Sequence, residues 1–262
     1  VAVLDDRGVI KEEVKFATPK SYGDFLLELK HAATSLKIDD FKAGAIGIPG
    51  QVDRKRGRGI KFGNLPWENV NIQHDAEQIF HCPTVIENDA KLAALSEAML
   101  LKDHYNKVVY ITISTGIGYA LIMDGVIDTG IGDSGGASLL LEHKGKLMPW
   151  EDFASGQAIV KRFGKMAEDI TDKSSWEIIS REFAQGMIQI IAMLEPDVIV
   201  IGGSVGNYFD RYNKLLETAL KKYKLPIVDL PAMLQAQRPD KAVVYGCYDL
   251  AKQVYGHGKT DS

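Results

Sequence analysis

Hydrophobic and polar positions at the start of the chain follow the pattern of a β-hairpin. Val1, Val3 and Leu4 form an apolar run, Asp5-Asp6-Arg7-Gly8 supplies a turn, and Val9-Ile10 begins the return strand. Phe25, Leu26, Leu29, Ala32 and Leu36 then recur at helical spacing. Lys42 to Ile48 reads as a buried strand closed by Pro49-Gly50, and a polar, glycine-rich stretch follows as far as Leu65-Pro66-Trp67. Pro83 to Ile86 predicts another short strand. Leu92, Leu95, Ala98, Met99 and Leu101 predict the helix after it.

The second half starts in a similar way. Val108 to Ile113 reads as a strand, Ser114-Thr115-Gly116-Ile117-Gly118 as a turn, and Tyr119 to Met123 as a strand; Asp124-Gly125 turns the chain back into Val126-Ile127. Tyr119 to Ile127 resembles Val1 to Ile10, with one extra residue in the first turn, which suggests an internal duplication. In the second copy a strand and a glycine loop precede the hairpin. The comparison therefore leads to the expectation that a strand and a Gly-rich loop precede Val1. Further on, Ile179, Phe183, Met187, Ile190, Ile191 and Leu194 form a helical stripe stopped by Glu195-Pro196. Asp197 to Ile201 reads as a strand ended by Gly202-Gly203-Ser204, and a helix through Leu215, Leu216 and Leu220 follows.

Composition narrows the class. With 262 residues the chain is one large domain or two smaller ones, and 45% hydrophobic with 25% charged residues is ordinary for a globular protein. A net charge of −4 argues against a nucleic-acid-binding footprint, which carries a basic excess. The local cluster Arg54, Lys55, Arg56 and Arg58 lies among glycines and reads as a solvated loop. Cys82 and Cys247 have neither CxxC spacing nor a histidine cluster, so reduced thiols in a cytoplasmic protein are expected. No apolar run is long enough to span a membrane, and no signal peptide is visible.

Three places have chemistry to offer. Asp89, in Glu87-Asn88-Asp89-Ala90, sits where a strand hands over to a helix. Asn88 or Asp89 can cap that helix; alternatively Asp89 is a carboxylate acting as general base toward a hydroxyl, a role that contributes about 10²–10⁴ in rate. Ser114 to Gly118 is either a plain turn or a backbone approach to an anion, with hydroxyl donors beside it. Gly202-Gly203-Ser204 has the same two readings, because glycines there permit a tight turn or a close nucleotide.

The order of these segments resembles the ROK family of sugar kinases and repressors, within the actin/hexokinase superfamily. Five stretches carry the resemblance across nearly the whole chain: Gly44-Ala45-Ile46-Gly47-Ile48-Pro49-Gly50, Asn64-Leu65-Pro66-Trp67, Glu87-Asn88-Asp89-Ala90, Ser114-Thr115-Gly116-Ile117-Gly118, and Ile201-Gly202-Gly203-Ser204. The resemblance implies an α/β fold of two RNase H-like (actin-like ATPase) lobes with an interlobe cleft. The small lobe would comprise residues 1–105 and 246–262, and the large lobe 106–245. It implies ATP-dependent phosphorylation of a hexose or related sugar, glucokinase-like, with Asp89 as catalytic base. Asn64 and Asn88 would bind sugar together with Asp89. Ser114, Thr115, Gly116 and Gly118 would hold ATP phosphates, and Gly202, Gly203 and Ser204 would line the adenosine pocket. Glu151, before Ala154-Ser155-Gly156, would contact sugar hydroxyls; read alone, it is equally an exposed charge at a helix start. ATP with Mg²⁺ is the implied cofactor. The partners implied are a small sugar and a second copy of the chain, with neither nucleic acid nor membrane.

The same resemblance marks three departures. The family's Asp-x-Gly-Gly-Thr phosphate loop, whose aspartate helps hold Mg²⁺, has no counterpart from Val1 onward, and a protein that began there would be a weak kinase or none. Gly136 stands where a sugar-binding glutamate is expected and Leu139 where a histidine is expected. An unmet buried hydrogen bond costs about 1–3 kcal/mol, so substrate choice should change. His143 either substitutes for the missing histidine or is a lone surface histidine. Gly145-Lys146-Leu147-Met148-Pro149-Trp150 takes the place of a Cys-rich zinc loop without a cysteine, so zinc is not expected. These departures also motivate an alternative function, a non-catalytic ROK-like sugar or nucleotide sensor.

Overall fold

Each apolar run becomes a strand or helix face in the computed structural model, which describes residues 1–63, 65–224 and 226–256. The chain divides into two compact units: Val1–Ser96 with the segment from Lys241 onward, and Glu97–Asp240.

In the first unit, β1 (Ala2–Leu4) and β2 (Ile10–Glu13) form the opening hairpin. A bulge between Val3 and Leu4 absorbs the additional turn residue, and Gly8 takes the left-handed conformation at φ 77°. Helix α1 (Tyr22–Ser35) starts at Ser21, whose hydroxyl accepts from the Asp24 N–H. β3 (Gly44–Ile48) pairs in parallel with a later strand. Between them β4 (Gly50–Asp53), β5 (Arg58–Phe62) and β6 (Glu68–Val70) form an antiparallel sheet, and α2 (Ile72–Phe80) follows. Most of the stretch after Gly50 is thus ordered sheet, and of the basic cluster Arg54, Lys55 and Arg56 lie in the turn between β4 and β5 while Arg58 opens β5. Its periodicity is hidden because Gly59 lies beneath the Phe62 ring, so an aromatic side chain fills the space a core residue would otherwise mark. The partner of β3 is β7 (Thr84–Asn88), which leads without a break into α3 (Asp89–Leu101). Ile48, Phe62, Trp67, Ile72 and Ile86 form a core of this unit.

The second unit is built on β8 (Lys107–Ile113), β9 (Ile117–Met123) and β10 (Val126–Ile127), a meander. The β9–β10 turn is the two-residue Asp124-Gly125, both at positive φ, the turn expected from its sequence. A hairpin follows, β11 (Leu140–His143) and β12 (Lys146–Pro149), then α4 (Trp150–Ala154), α5 (Gly156–Phe163) and α6 (Lys173–Leu194). β13 (Val198–Gly202), the one-turn α7 (Gly203–Gly206), α8 (Phe209–Tyr223) and β14 (Ala232–Gln235) complete it. The chain then returns to the first unit as α9 (Ala242–Tyr255). The main sheet has the order β10-β9-β8-β13-β14, with β8, β13 and β14 parallel. Every residue of β13 is buried, as expected for a parallel strand covered on both faces. Trp150, Phe183, Ile191, Ile201 and Leu216 lie in the core of this unit. Among the described residues no helix is long and apolar enough to cross a membrane.

Candidate active site

The handover from β7 to α3 distinguishes the two residues that competed for the cap. Asn88 takes that role: its Oδ1 accepts from the Lys91 N–H at 3.1 Å, and its Nδ2 donates to the Gly50 carbonyl at 3.0 Å. Asp89 is the first helical residue, and its Oδ1 accepts from the neighbouring Ala90 N–H at 2.8 Å. Burial raises the Asp89 pKa above the usual carboxylate value, against the lowering by that backbone hydrogen bond. Asn64 lies outside the described residues.

Glu87, only 4% exposed, precedes Asn88. It is met by Arg54, whose Nε donates to Oε2 at 2.7 Å and whose Nη2 donates to Oε1. Arg54 therefore lies in the turn but turns its side chain inward, and Arg58 belongs to β5, where its Nε donates to Asn71 Oδ1 at 2.6 Å. Lys55 and Arg56 are exposed. The Arg54–Glu87 pair went unnoticed in the sequence because the partners are 33 residues apart. A signal was present all the same: a glutamate closing the apolar run Thr84-Val85-Ile86 needs a cation if it is buried.

In the second unit, several predicted nucleotide residues come together. The turn between β8 and β9 is Ser114-Thr115-Gly116, shorter than expected, because Ile117 and Gly118 already pair with Ile113 and Thr112 in β9. The Ser114 carbonyl accepts from the Gly156 N–H at 2.7 Å, and Thr115 accepts from Gln157 at 3.4 Å. Glu151, in the first turn of α4, accepts from the Ile117 N–H at 3.2 Å through Oε2. That oxygen would stand 2.8 Å from a Cβ at position 116, so Gly116 is needed for the approach. Gly202 ends the neighbouring strand, in register with Thr112, and Gly203 opens α7. Ser204 follows in α7. The turn and the glycine pair thus occupy the carboxyl ends of adjacent parallel strands, where open α/β sheets place their ligands.

Gly203 has φ 81°, and a Cβ there would overlap the backbone of Ile113. Gly203→Ala is expected to destabilise the protein by about 1–3 kcal/mol, the cost of a non-glycine residue held in this region. A urea denaturation series checks it; an unchanged midpoint would refute the backbone argument.

Of the positions that depart from the family pattern, Gly136 is buried and Leu139 partly buried, while Leu147, in the hairpin that replaces the zinc loop, is exposed. A Cβ on buried Gly136 would stand 2.9 Å from the Ile117 Cβ, and Leu139 packs against the core. His143 is not a surface histidine. Its side chain is 11% exposed, its ring stacks on Phe153 at 4.2 Å, and Nε2 lies 3.6 Å from Glu182 Oε1, which also accepts from Arg162. Alternation along β11 turns His143 inward together with Leu141.

Known proteins resemble this chain along most of its length. The ROK family model matches residues 1–254. A glucokinase of Streptomyces coelicolor is 24% identical over 96% of this chain and 93% of that protein. A fructokinase of Lactococcus lactis subsp. cremoris is 26% identical over 90% of this chain and 84% of that protein. A xylose repressor of Caldicellulosiruptor bescii is 22% identical over 77% of this chain and 60% of that protein. Among solved structures, a ROK family glucokinase from Streptomyces griseus in complex with glucose and AMPPNP has a TM-score of 0.80 at 23% identity, covering 96% of this chain and 95% of that one. The fold is therefore the α/β fold of the actin-like ATPases. With the motifs in order and the family match running over residues 1–254, the chain belongs to the ROK family.

Proposed function

We propose that the protein transfers the γ-phosphoryl group of ATP to a hydroxyl of a hexose or a close relative, with Asp89 as general base. One observation carries this reading: Asn88 caps α3, which leaves the half-buried Asp89 carboxylate outside the capping role. The glucokinase and fructokinase relatives support it.

Asp89 takes the hydroxyl proton as the sugar oxygen attacks phosphorus. Asn88 retains a second amide N–H for a neighbouring hydroxyl. Glu151, with one oxygen on Ile117, offers its other oxygen to the sugar. The backbone of Ser114, Thr115, Gly116 and Gly118 approaches the phosphates, and Gly202, Gly203 and Ser204 line the nucleoside. Little covalent chemistry is needed, so positioning and charge neutralisation do the catalysis. Mg²⁺ bound with the nucleotide would supply part of that neutralisation. Among the described residues no three carboxylate, histidine or cysteine side chains converge on a metal position.

The packing of Gly136 and Leu139 favours a second reading, a sensor that binds sugar or nucleotide without turnover. A coupled ADP-release screen over hexoses and their derivatives separates the two. Turnover on at least one sugar is expected. No turnover on any sugar, with calorimetric binding retained, would establish the sensor instead.

A further inference from the structure

The corner that carries Asp89 is braced from outside the strand and helix that form it. Glu87 and Asn88 are consecutive in β7, so their side chains leave opposite faces of the strand. Both reach the same hairpin. Asn88 Nδ2 donates to the carbonyl of Gly50, the first residue of β4, and Arg54, immediately after β4, grips Glu87 through two guanidinium nitrogens. Glu87 Oε1 also accepts from the Asn88 N–H at 2.6 Å. A fork of this kind fixes direction as well as distance. Without it, Glu87 would be a buried carboxylate deprived of its cation, which must move or take up a proton.

We propose that Arg54 is a positioning residue for the phosphoryl transfer: through Glu87 it holds the Asn88-Asp89 corner in the orientation in which Asp89 meets the sugar hydroxyl. The inference rests on the kinase reading above. Arg54 acts on the corner and not on the substrate, so its loss lowers kcat and leaves nucleotide affinity alone.

The test compares Arg54→Met, Arg54→Lys and Lys55→Met in steady-state turnover per folded molecule, with amide hydrogen exchange at Asn88 and Lys91. Arg54→Met is expected to lower kcat by about 10- to 100-fold, the scale of a small misplacement of a reacting group, with KM for ATP unchanged. Arg54→Lys recovers part of the loss, because an ammonium restores the charge but not the fork. Lys55→Met, at an exposed neighbour, behaves as wild type. The two amides exchange faster in Arg54→Met. Turnover indistinguishable from wild type, an equal loss in Lys55→Met, or unchanged exchange would overturn the proposal. If Arg54→Met does not fold, the double variant Arg54→Met/Glu87→Gln removes both charges. A persistent kcat loss there upholds positioning, and full recovery overturns it. If the wild type turns over no sugar, the kinase reading fails and the exchange measurement alone decides the brace.

Discussion

Replacing Asp89 with asparagine is expected to reduce turnover by about 10²–10⁴-fold, the range for removing a general base, while sugar and nucleotide still bind. The fold should survive, because the cap of α3 belongs to Asn88. The sign of the stability effect follows from titration. Burial raises the Asp89 pKa in the folded protein, so the stability this group contributes is present at low pH and is lost as pH rises through the raised value. Asn does not titrate, so Asp89→Asn should melt no lower than wild type at neutral pH. Asn88→Ala, by contrast, should cost about 1 kcal/mol as a lost cap. Wild-type turnover should fall on the acid side at a pH above the ordinary value of an aspartate, since burial raises the Asp89 pKa and the base must be ionised. Retention of most activity by Asp89→Asn, or a clear fall in its neutral-pH melting temperature, would contradict this assignment.

Trp150→Ala should produce the largest loss of stability among these variants, about 3–5 kcal/mol, as for other buried tryptophans cut to alanine. Trp150 is 0% exposed, and its Nε1 donates to the Glu182 carbonyl at 3.1 Å. Its ring occupies the space left by Gly186 of α6, where any Cβ would overlap it. For a protein of this length that loss corresponds to a melting temperature lower by roughly 10 °C. The next residue is Glu151, so the loosened start of α4 should also release the Ile117 N–H and raise KM for ATP. Trp176→Ala is the control. Trp176 is equally interior, stacked on Tyr212 at 5.2 Å, but holds no residue of the nucleotide turn. It should lower the melting temperature without a comparable change in KM. Equal KM effects in the two variants would sink the link from Trp150 through Glu151 to the turn.

The parts of the fold legible in the sequence were those with strong local periodicity. The hairpin turns at Gly8 and Asp124-Gly125, the stripe of α6 and the apolar run of β13 all formed where the pattern placed them. β4, β5 and α2 were not legible. β5 buries Gly59 and Phe62, an i, i+3 spacing foreign to strand alternation, because a ring folds back over a glycine. For the candidate site, the sequence offered Asp89, the 114–118 segment and Gly202-Gly203-Ser204 in order. It left open whether Asp89 is a cap and whether His143 is a surface residue, and it misread Arg54 as solvent-facing.

What the sequence determined by itself is the succession of strands, turns and helices, and with it the family and fold class, because periodicity and turn chemistry report the backbone within a few residues. Only the tertiary structure decided which polar groups meet. Asn88 caps α3 while reaching Gly50, Arg54 grips Glu87, Glu151 holds Ile117, and His143 turns inward onto Phe153. Apart from the cap itself, these pairings join positions as many as 38 residues apart. Each is set by which elements pack together and by the cost of burying a polar group unpaired, a condition that no local pattern along the chain records.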